Sequence, residues 1–450
     1  MSGDRYYEIR DPIYGFITID DWERDIINHE WFQRLRRIRQ LAFTDMVYPG
    51  ASHTRLEHSL GVMHLAGRAY EILTRNAKYV ERLQSELGYR DEGIKRDRCL
   101  VRLAALLHDI GHGPFSHVSE SLMRDDPEKL KIGKRGKDAK YTHEQYSAAI
   151  IKTFFKDVIN GNQTNATNYG ITADEVADLL EGRPSLGRKL FWRSFLSSQV
   201  DVDRMDYLLR DSYHAGVQYG HYDLDRLLNT MAITFTVPDK EVSRDNAELP
   251  PAASGGLTIG VEEGGWHAAE ELILARYAMF TQVYFHKTRR AYDHHMEQVL
   301  KHVLKGHFPA PDNEKHLKEF LAWDDWRVEG LMATDKAGEH GSRIRKRNHY
   351  REVFHTTEVP STSELDLLEK IKGALGDTVK LEDAADKSWY KYKKEEVVVD
   401  MEDGTRNVLS NICSVVNALI GVKQWRLYTD GSCAEETKKR VEKIVGQEGR

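Results

Sequence analysis

Apolar residues recur at helical spacing over much of the chain up to about residue 300. Between Ala51 and Glu71 the positions Leu56, Leu60, Met63 and Ala66 follow one another at three or four residues, which predicts a helix with one buried face. Thr54 and Glu57 stand at its start with the spacing of a capping box. Leu100–Leu107 (LVRLAALL) is apolar on nearly every side and predicts a buried helix, which HDIGHGP then ends at Gly111, Gly113 and Pro114. A further helical stretch runs from Trp266 to about Leu304. Ala232–Val237 and Gly256–Val261 predict two strands of a hairpin, joined by a long loop over Ser243–Gly255 that contains Pro250, Pro251 and a glycine pair. Lys129–Lys140, basic and glycine-containing, and Asn160–Gly170, polar throughout, are expected to be irregular. Beyond about residue 310 the pattern changes. Glu395–Asp400 and Gln424–Tyr428 read as strands, Asn407–Ile420 and Ala434–Val445 as helices. The expectation is a mainly α fold: an all-helical core with a small β-hairpin over residues 1–310, and a smaller α+β region over 311–450 that helps assemble oligomers.

Composition narrows this. A chain of 450 residues is long enough for two or three domains at roughly 100–200 residues each. It is 40% hydrophobic and 30% charged, as globular proteins are. Lys and Arg number 65 against 71 Asp and Glu, a net charge of −6, which argues against a protein whose main task is coating nucleic acid. No run approaches the roughly 18 apolar residues of a membrane span, and MSGDRYYEIRDPIYG has no apolar signal core, so a cytoplasmic protein is expected. Cys99, Cys413 and Cys433 are isolated, which excludes a disulfide framework and a thiolate zinc site. The N-x-T triplets at Asn162 and Asn165 are read as chance.

Histidine carries the chemical information. The chain has 20, and they bunch: His53, His58 and His64; then His108, His112, His117 and His143; then His286, His294 and His295. His108–Asp109 closes a buried apolar helix, where a carboxylate is costly unless paired or bound to a metal. His58 shares its helix face with Val62 and Leu65. Asp203 lies in SSQVDVDRMDYLLRD with Asp201, Asp206 and Asp211, four acidic residues within eleven positions on a half-apolar segment. Taken singly, His58 reads as a core histidine and the acidic run as a solvated helix face. The combination of His58, His108, Asp109 and Asp203 is a mixed nitrogen–oxygen set that suits Mn, Fe, Co, Ni or Zn, and Mg alone less well. A divalent ion so held lowers the pKa of its water from about 15.7 toward 7 and polarises a phosphoryl oxygen.

The order of these motifs resembles the HD-domain superfamily of metal-dependent phosphohydrolases, and within it the deoxynucleoside triphosphate (dNTP) triphosphohydrolases. The similarity rests on DPIYGFI (11–17), FQRLRRIRQL (32–41), YPGASHTRLEHSLGV (48–62), LLHDIGHGPFSH (106–117), YTHEQ (141–145), VDVDRMDYLLRD (200–211) and VYFHKTRRAYDHH (283–295). The resemblance implies that His58, His108, Asp109 and Asp203 are metal ligands. It implies a reaction in which water activated by the ion attacks the α-phosphorus of a dNTP, yielding deoxynucleoside and triphosphate. His117 matches the family's proton donor, His112 and His143 accompanying histidines, and Glu120 an acidic partner. Arg55, Arg204, Tyr207, Lys287 and Arg290 match phosphate contacts; Gln40 and Asp211 match contacts to the 3′-hydroxyl; Tyr292, with Leu41 beside the sugar, matches the wall that rejects a 2′-hydroxyl.

Family members assemble as homo-oligomers, so a dimer, tetramer or hexamer is expected, and some are activated by a nucleotide at a subunit interface. Gln33 and Arg36 match such contacts. Asn28 stands where an activated relative uses an Asp to read guanine, which argues against GTP activation of the same kind. Arg343–Arg351 (RIRKRNHYR) could hold a regulatory phosphate or be a solvated face, and Lys129–Lys140 could touch single-stranded nucleic acid or be a plain insertion. Two other functions stay open at this level: an HD-type phosphodiesterase or phosphatase acting on nucleic-acid ends, cyclic nucleotides or nucleoside monophosphates, and a non-catalytic nucleotide sensor or nucleic-acid-binding protein.

Overall fold

The helix Arg55–Arg75 forms as its periodicity demands and is the spine of the larger core. Its capping box is made: Thr54 accepts from the first turn and its N–H donates to Glu57 at 2.8 Å. The helix packs along Asp91–Leu107, whose Leu100, Leu103, Ala104, Leu106 and Leu107 are all buried, and against Val202–Ala215. At Gly61 the approach is so close that a Cβ would run into the Asp206 carboxylate. The structure, a computed structural model, describes residues 6–88, 90–237, 256–388, 390 and 396–448. Helix accounts for 62% of it, as the mainly α pattern requires.

The β elements are small. Tyr6–Asp11 and Gly15–Asp20 form an antiparallel N-terminal hairpin that the helical reading passed over. Met231–Phe235 and Leu257–Glu262 pair as the predicted hairpin; the Ser243–Gly255 loop, with its two prolines, lies outside the described residues, as does Glu395. Val398–Asp400 is a strand, but it joins this hairpin in parallel and continues to Arg406–Val408, giving one four-stranded sheet. The single helix expected over Asn407–Ile420 is instead this last strand followed by two short helices, Leu409–Ile412 and Ser414–Ala418. Pairing across the sheet overrides local propensity at Asn407 and Val408. Ala434–Glu448 is helical, and Val422–Thr429 is the central strand of a three-stranded sheet between Arg351–His355 and Leu381–Lys387.

Two segments expected to be irregular contain short helices. Pro127–Lys131 and a 3-10 turn at Gly136–Ala139 occupy the basic segment, whose neck is closed by the Asp125–Lys140 bridge. Gln163–Asn168 lies in the polar one, where buried Asn165 donates to the carbonyls of Ile159 and Ile171, each at 2.8 Å. The helical stretch from Trp266 runs to Met279, passes through a π-helical turn at Phe280–Tyr284 and resumes as Lys287–Leu304.

One continuous apolar core extends from Ile17 to Val416 and takes in Phe308, Phe320, Val328 and Ile344. A second, smaller core of Val353, Leu368, Ile371, Leu375, Leu427 and Val441 lies under the three-stranded sheet. Residues 308–344 therefore pack against the helices that carry the histidines. Buried Arg34 makes the junction explicit: it donates to the carbonyl of His112 at 2.9 Å and to that of Trp323 at 2.6 Å.

Candidate active site

Three helices bring the four expected ligands together. His58 comes from Arg55–Arg75, His108 and Asp109 from the end of Asp91–Leu107, and Asp203 from the first turn of Val202–Ala215. His58 Nε2 lies 3.0 Å from Asp203 Oδ1 and 3.5 Å from Asp109 Oδ2. His108 Nε2 lies 3.3 Å from Asp109 Oδ1 and 3.7 Å from Asp203 Oδ1. His108 Nδ1 donates to the Ala105 carbonyl at 2.7 Å, which leaves Nε2 as a lone-pair donor. That atom is buried and has no hydrogen-bond partner among the described residues. An orphaned imidazole nitrogen facing two carboxylates fits a divalent cation, as does the nitrogen–oxygen chemistry of the set.

A further carboxylate orients the site from behind. Asp206, fully buried, accepts from His58 Nδ1 at 2.7 Å and so presents His58 Nε2 to the cluster. Asp206 in turn accepts from the Tyr14 hydroxyl at 2.8 Å and from Arg210 at 2.8 and 2.9 Å. Arg210 also reaches Asp11 at 2.8 Å. The N-terminal hairpin thus braces the ligand helix. Burial works against ionising Asp206 and Asp109, but Arg210 and Arg55 respectively hold both carboxyls below their ordinary range.

A second group adjoins the first. His112 Nε2 is 3.2 Å from Asp109 Oδ1, and its ring stacks on His143 at 3.9 Å. Glu120 Oε1 accepts from His143 Nδ1 at 2.8 Å and from His117 Nδ1 at 3.0 Å. His117 is exposed, and this contact leaves its Nε2 for an incoming group. Burial and the neighbouring Arg55 and His143 push His112 well below the usual range, so it is neutral. Burial also opposes charge on His143, but Glu144 and Glu120 outweigh it and lift the imidazole to about 9. Glu120 stays ionised, its own burial overcome by His117 and His143.

His117 is delivered by a strained turn. Phe115 (φ 58°, ψ 29°) and Ser116 (φ 57°) both occupy the left-handed region without being glycine, at a cost of order 1–3 kcal/mol each. Gly111 in the same loop admits His143: a Cβ there would strike the His143 carbonyl.

The remaining expected contacts divide. Arg55 pairs with Asp109 and donates to Ser116 Oγ at 2.9 Å, so it borders the ligand cluster. Arg204, one residue beyond Asp203, reaches Asp201 and Gln199 at 3.3 and 3.1 Å. Tyr207 follows on the same helix, half-buried beside Arg276 and Tyr284. Gln40 and Asp211 are linked through His53: the Gln40 N–H donates to the His53 carbonyl at 3.0 Å, and His53 Nε2 meets Asp211 Oδ1 at 2.8 Å. Gln40 Oε1 is buried without a partner among the described residues, and Tyr284 from the π-helical turn donates to Asp211 at 2.5 Å. Leu41 is buried alongside. Tyr292 packs on Phe43 at 6.0 Å, with His349 Nδ1 3.1 Å from its hydroxyl. Lys287 and Arg290 are not brought to this group. Lys287 is exposed and lies 3.6 Å from Glu352, and Arg290 pairs with Asp383; both turn toward the three-stranded sheet. Three residues apart on the helix Lys287–Leu304, they share one face, and that face meets the three-stranded sheet.

Asp206, His53, Arg34 and Asp325 were not singled out by sequence. Asp206 stands out in the sequence only as one of the acidic run and His53 only as one of the bunched histidines, and all four meet partners far away in the chain.

The HD domain family matches residues 55–211, and the HD associated region matches residues 255–447. The chain belongs to the HD-domain superfamily. Among its relatives, Bacillus subtilis YwfO, of uncharacterized function, is 33% identical over 301 residues, 66% of this chain and 56% of that protein. A Dictyostelium discoideum protein named deoxynucleoside triphosphate triphosphohydrolase SAMHD1 homolog is 28% identical over 357 residues, 77% of this chain and 59% of that one. The chain thus spans rather more than half the length of these relatives. The crystal structure of a hypothetical protein from Aquifex aeolicus superimposes with a TM-score of 0.73 at 26% identity, covering 97% of this chain and 99% of that one. No helix among the described residues is long and apolar enough to cross a membrane.

Proposed function

We propose that this protein is a metal-dependent dNTP triphosphohydrolase that releases deoxynucleoside and inorganic triphosphate. The observation that carries the reading is the adjacency of two histidine–carboxylate groups: His58, His108 and Asp203 as a cation site with Asp109 next to its two histidines, and His112, His117, Glu120 and His143 beside it. The name of the Dictyostelium relative supplies the substrate class.

A divalent ion held by the first group lowers the pKa of its water and polarises a phosphoryl oxygen. The chain's own residues supply the rest. The deoxyribose 5′-oxygen leaves poorly as an alkoxide and needs a proton. His117 presents Nε2 for that transfer, while Glu120 holds Nδ1 and stabilises the imidazolium. Cationic His143 and Arg55 offset the charge of the triphosphate. Arg204 and Tyr207 extend the phosphate side. Gln40, whose Oε1 lacks a donor among the described residues, and Asp211 hydrogen-bond the 3′-hydroxyl. Tyr292 and Leu41 form the wall that a ribose would meet. Assembly as a homo-oligomer belongs to the same proposal, whereas a nucleotide activator and single-stranded nucleic acid stay open alternatives beside it. Gln33 and Arg36, joined at 2.7 Å on the surface, are the positions such an activator would use.

The test is Asp203→Ala. It should abolish dNTP turnover and lower the bound metal while leaving the thermal melt cooperative. Normal turnover in that variant would remove the ligand assignment.

A further inference from the structure

The turn that carries His117 does not hold itself. Phe115 and Ser116 are consecutive left-handed residues with side chains, and two such residues relax toward right-handed backbone unless their surroundings oppose it. Relaxation would swing the next residue, His117, away from Glu120.

Asp325 opposes it. This residue opens the helix Asp325–Met332, more than 200 positions further along the chain. It is buried, and its two carboxylate oxygens have separate tasks. Oδ1 accepts from the Phe115 N–H at 2.7 Å, and Oδ2 accepts from the Arg39 N–H at 2.8 Å. Arg39 returns to the turn, because its carbonyl accepts from Ser116 Oγ at 2.6 Å. Phe115 is further held by stacking on Phe43 at 4.9 Å. Asp325, Arg39 and the turn therefore close a ring of three hydrogen bonds around the strained residues.

We infer that Asp325 is the positioning residue for proton donation: it clamps the Phe115–Ser116 elbow so that His117 faces the leaving group. The inference rests on the proposed role of His117 and assigns to the C-terminal part of the chain a share in the chemistry of the N-terminal part. A carboxylate is required because two backbone N–H donors on different segments need two acceptor atoms. An Asn offers one oxygen and sets an amide donor against the other N–H.

The experiment uses the metal-loaded full chain with two substrates: a dNTP, and its analogue with sulfur in place of the bridging 5′-oxygen. The thiolate leaves without needing a proton. His117→Ala is the reference and should slow the dNTP while sparing the thio analogue. Asp325→Asn should lower kcat for the dNTP at least tenfold, with KM within twofold, and leave thio-analogue turnover within twofold of the parent. Ser116→Gly also removes the Ser116 Oγ bonds to Arg39 and Arg55, so its own activity is the baseline; against that baseline the Asp325→Asn penalty should shrink at least threefold, since glycine takes positive φ unaided. If the Asn variant does not melt cooperatively, Asp325→Ser replaces it and is held to the same split. Equal losses on both substrates would reduce Asp325 to a general structural role and overturn the inference, as would no loss on either or an unchanged penalty in the Ser116→Gly background. If His117→Ala itself slows both substrates equally, the proton-donor reading has failed, and the inference falls with it.

Discussion

Asp206→Asn isolates the orientation of His58 from the ligands themselves. Asp206 touches no other member of the ligand group, yet it accepts at 2.7 Å from the nitrogen of His58 that faces away from the cluster. The amide keeps the shape but has one acceptor oxygen where the carboxylate has two, and those two now serve His58, Tyr14 and Arg210. Either His58 Nδ1 or Arg210 then confronts an N–H. Loss of such a partner behind a ligating histidine costs about 10–100-fold in metal affinity, or about 1.4–2.8 kcal/mol. Breaking a buried ion pair outright costs about 3–5 kcal/mol of stability. Here Arg210 retains Asp11 at 2.8 Å, so the loss should fall below that range. The assay is calorimetric titration of the metal-free protein with Mn²⁺, alongside thermal melts of both apo forms. Affinity within twofold of the parent, with only the melt shifted, would refute the reasoning: Asp206 would then be a brace for Arg210 and nothing more.

His143 titrates near 9 in the folded protein against an ordinary value of about 6.5. Its pair with Glu120 and Glu144 therefore contributes stability that is complete below about pH 6.5 and lost as pH rises through about 9, up to about 3 kcal/mol. Glu120→Gln should flatten the fall in melting temperature between pH 7 and 9.5, and an unchanged slope would show that Glu120 does not hold the proton. Tyr292→Ala should raise ribonucleotide turnover relative to deoxyribonucleotide turnover, measured on matched substrate pairs; an unaltered ratio would take Tyr292 out of the sugar wall. Lys287→Ala should leave kcat and KM for a dNTP within about twofold, because its exposed ammonium lies beside Glu352. A tenfold rise in KM would return it to the phosphate contacts.

Legibility followed the range of the interactions. The helix from Arg55 was plain because its apolar period and its capping box are local. Ile17 and Ile19, buried at alternate positions beside Pro12 and Gly15, were a hairpin signal that a helical frame hid. The strand Leu381–Lys387 (LEDAADK) had no such signal; it exists because Val422–Thr429 supplies its partners. The cluster of His58, His108 and Asp203 with Asp109 was legible as an order of residue types spread over about 150 positions, which chain pattern and resemblance can reveal. Asp206 and Asp325 could not be assigned in that way. A carboxylate's task is set by the donors that meet it, and the His58 imidazole and the Phe115 N–H lie 148 and 210 residues away. Lys287 and Arg290 show the converse, since a correct helical face met a sheet formed by distant chain.

The central claim concerns which bond breaks. Metal-stripped protein would be reloaded with Mn²⁺ or Mg²⁺ and given the four dNTPs singly and mixed, with His108→Ala/Asp109→Ala in parallel and products resolved by anion exchange. The account predicts deoxynucleoside and intact triphosphate in equal amounts, absent from the double variant, and a gain in the mixture if one nucleotide activates. Deoxynucleoside monophosphate with pyrophosphate, or no dNTP turnover in any mixture, would contradict it.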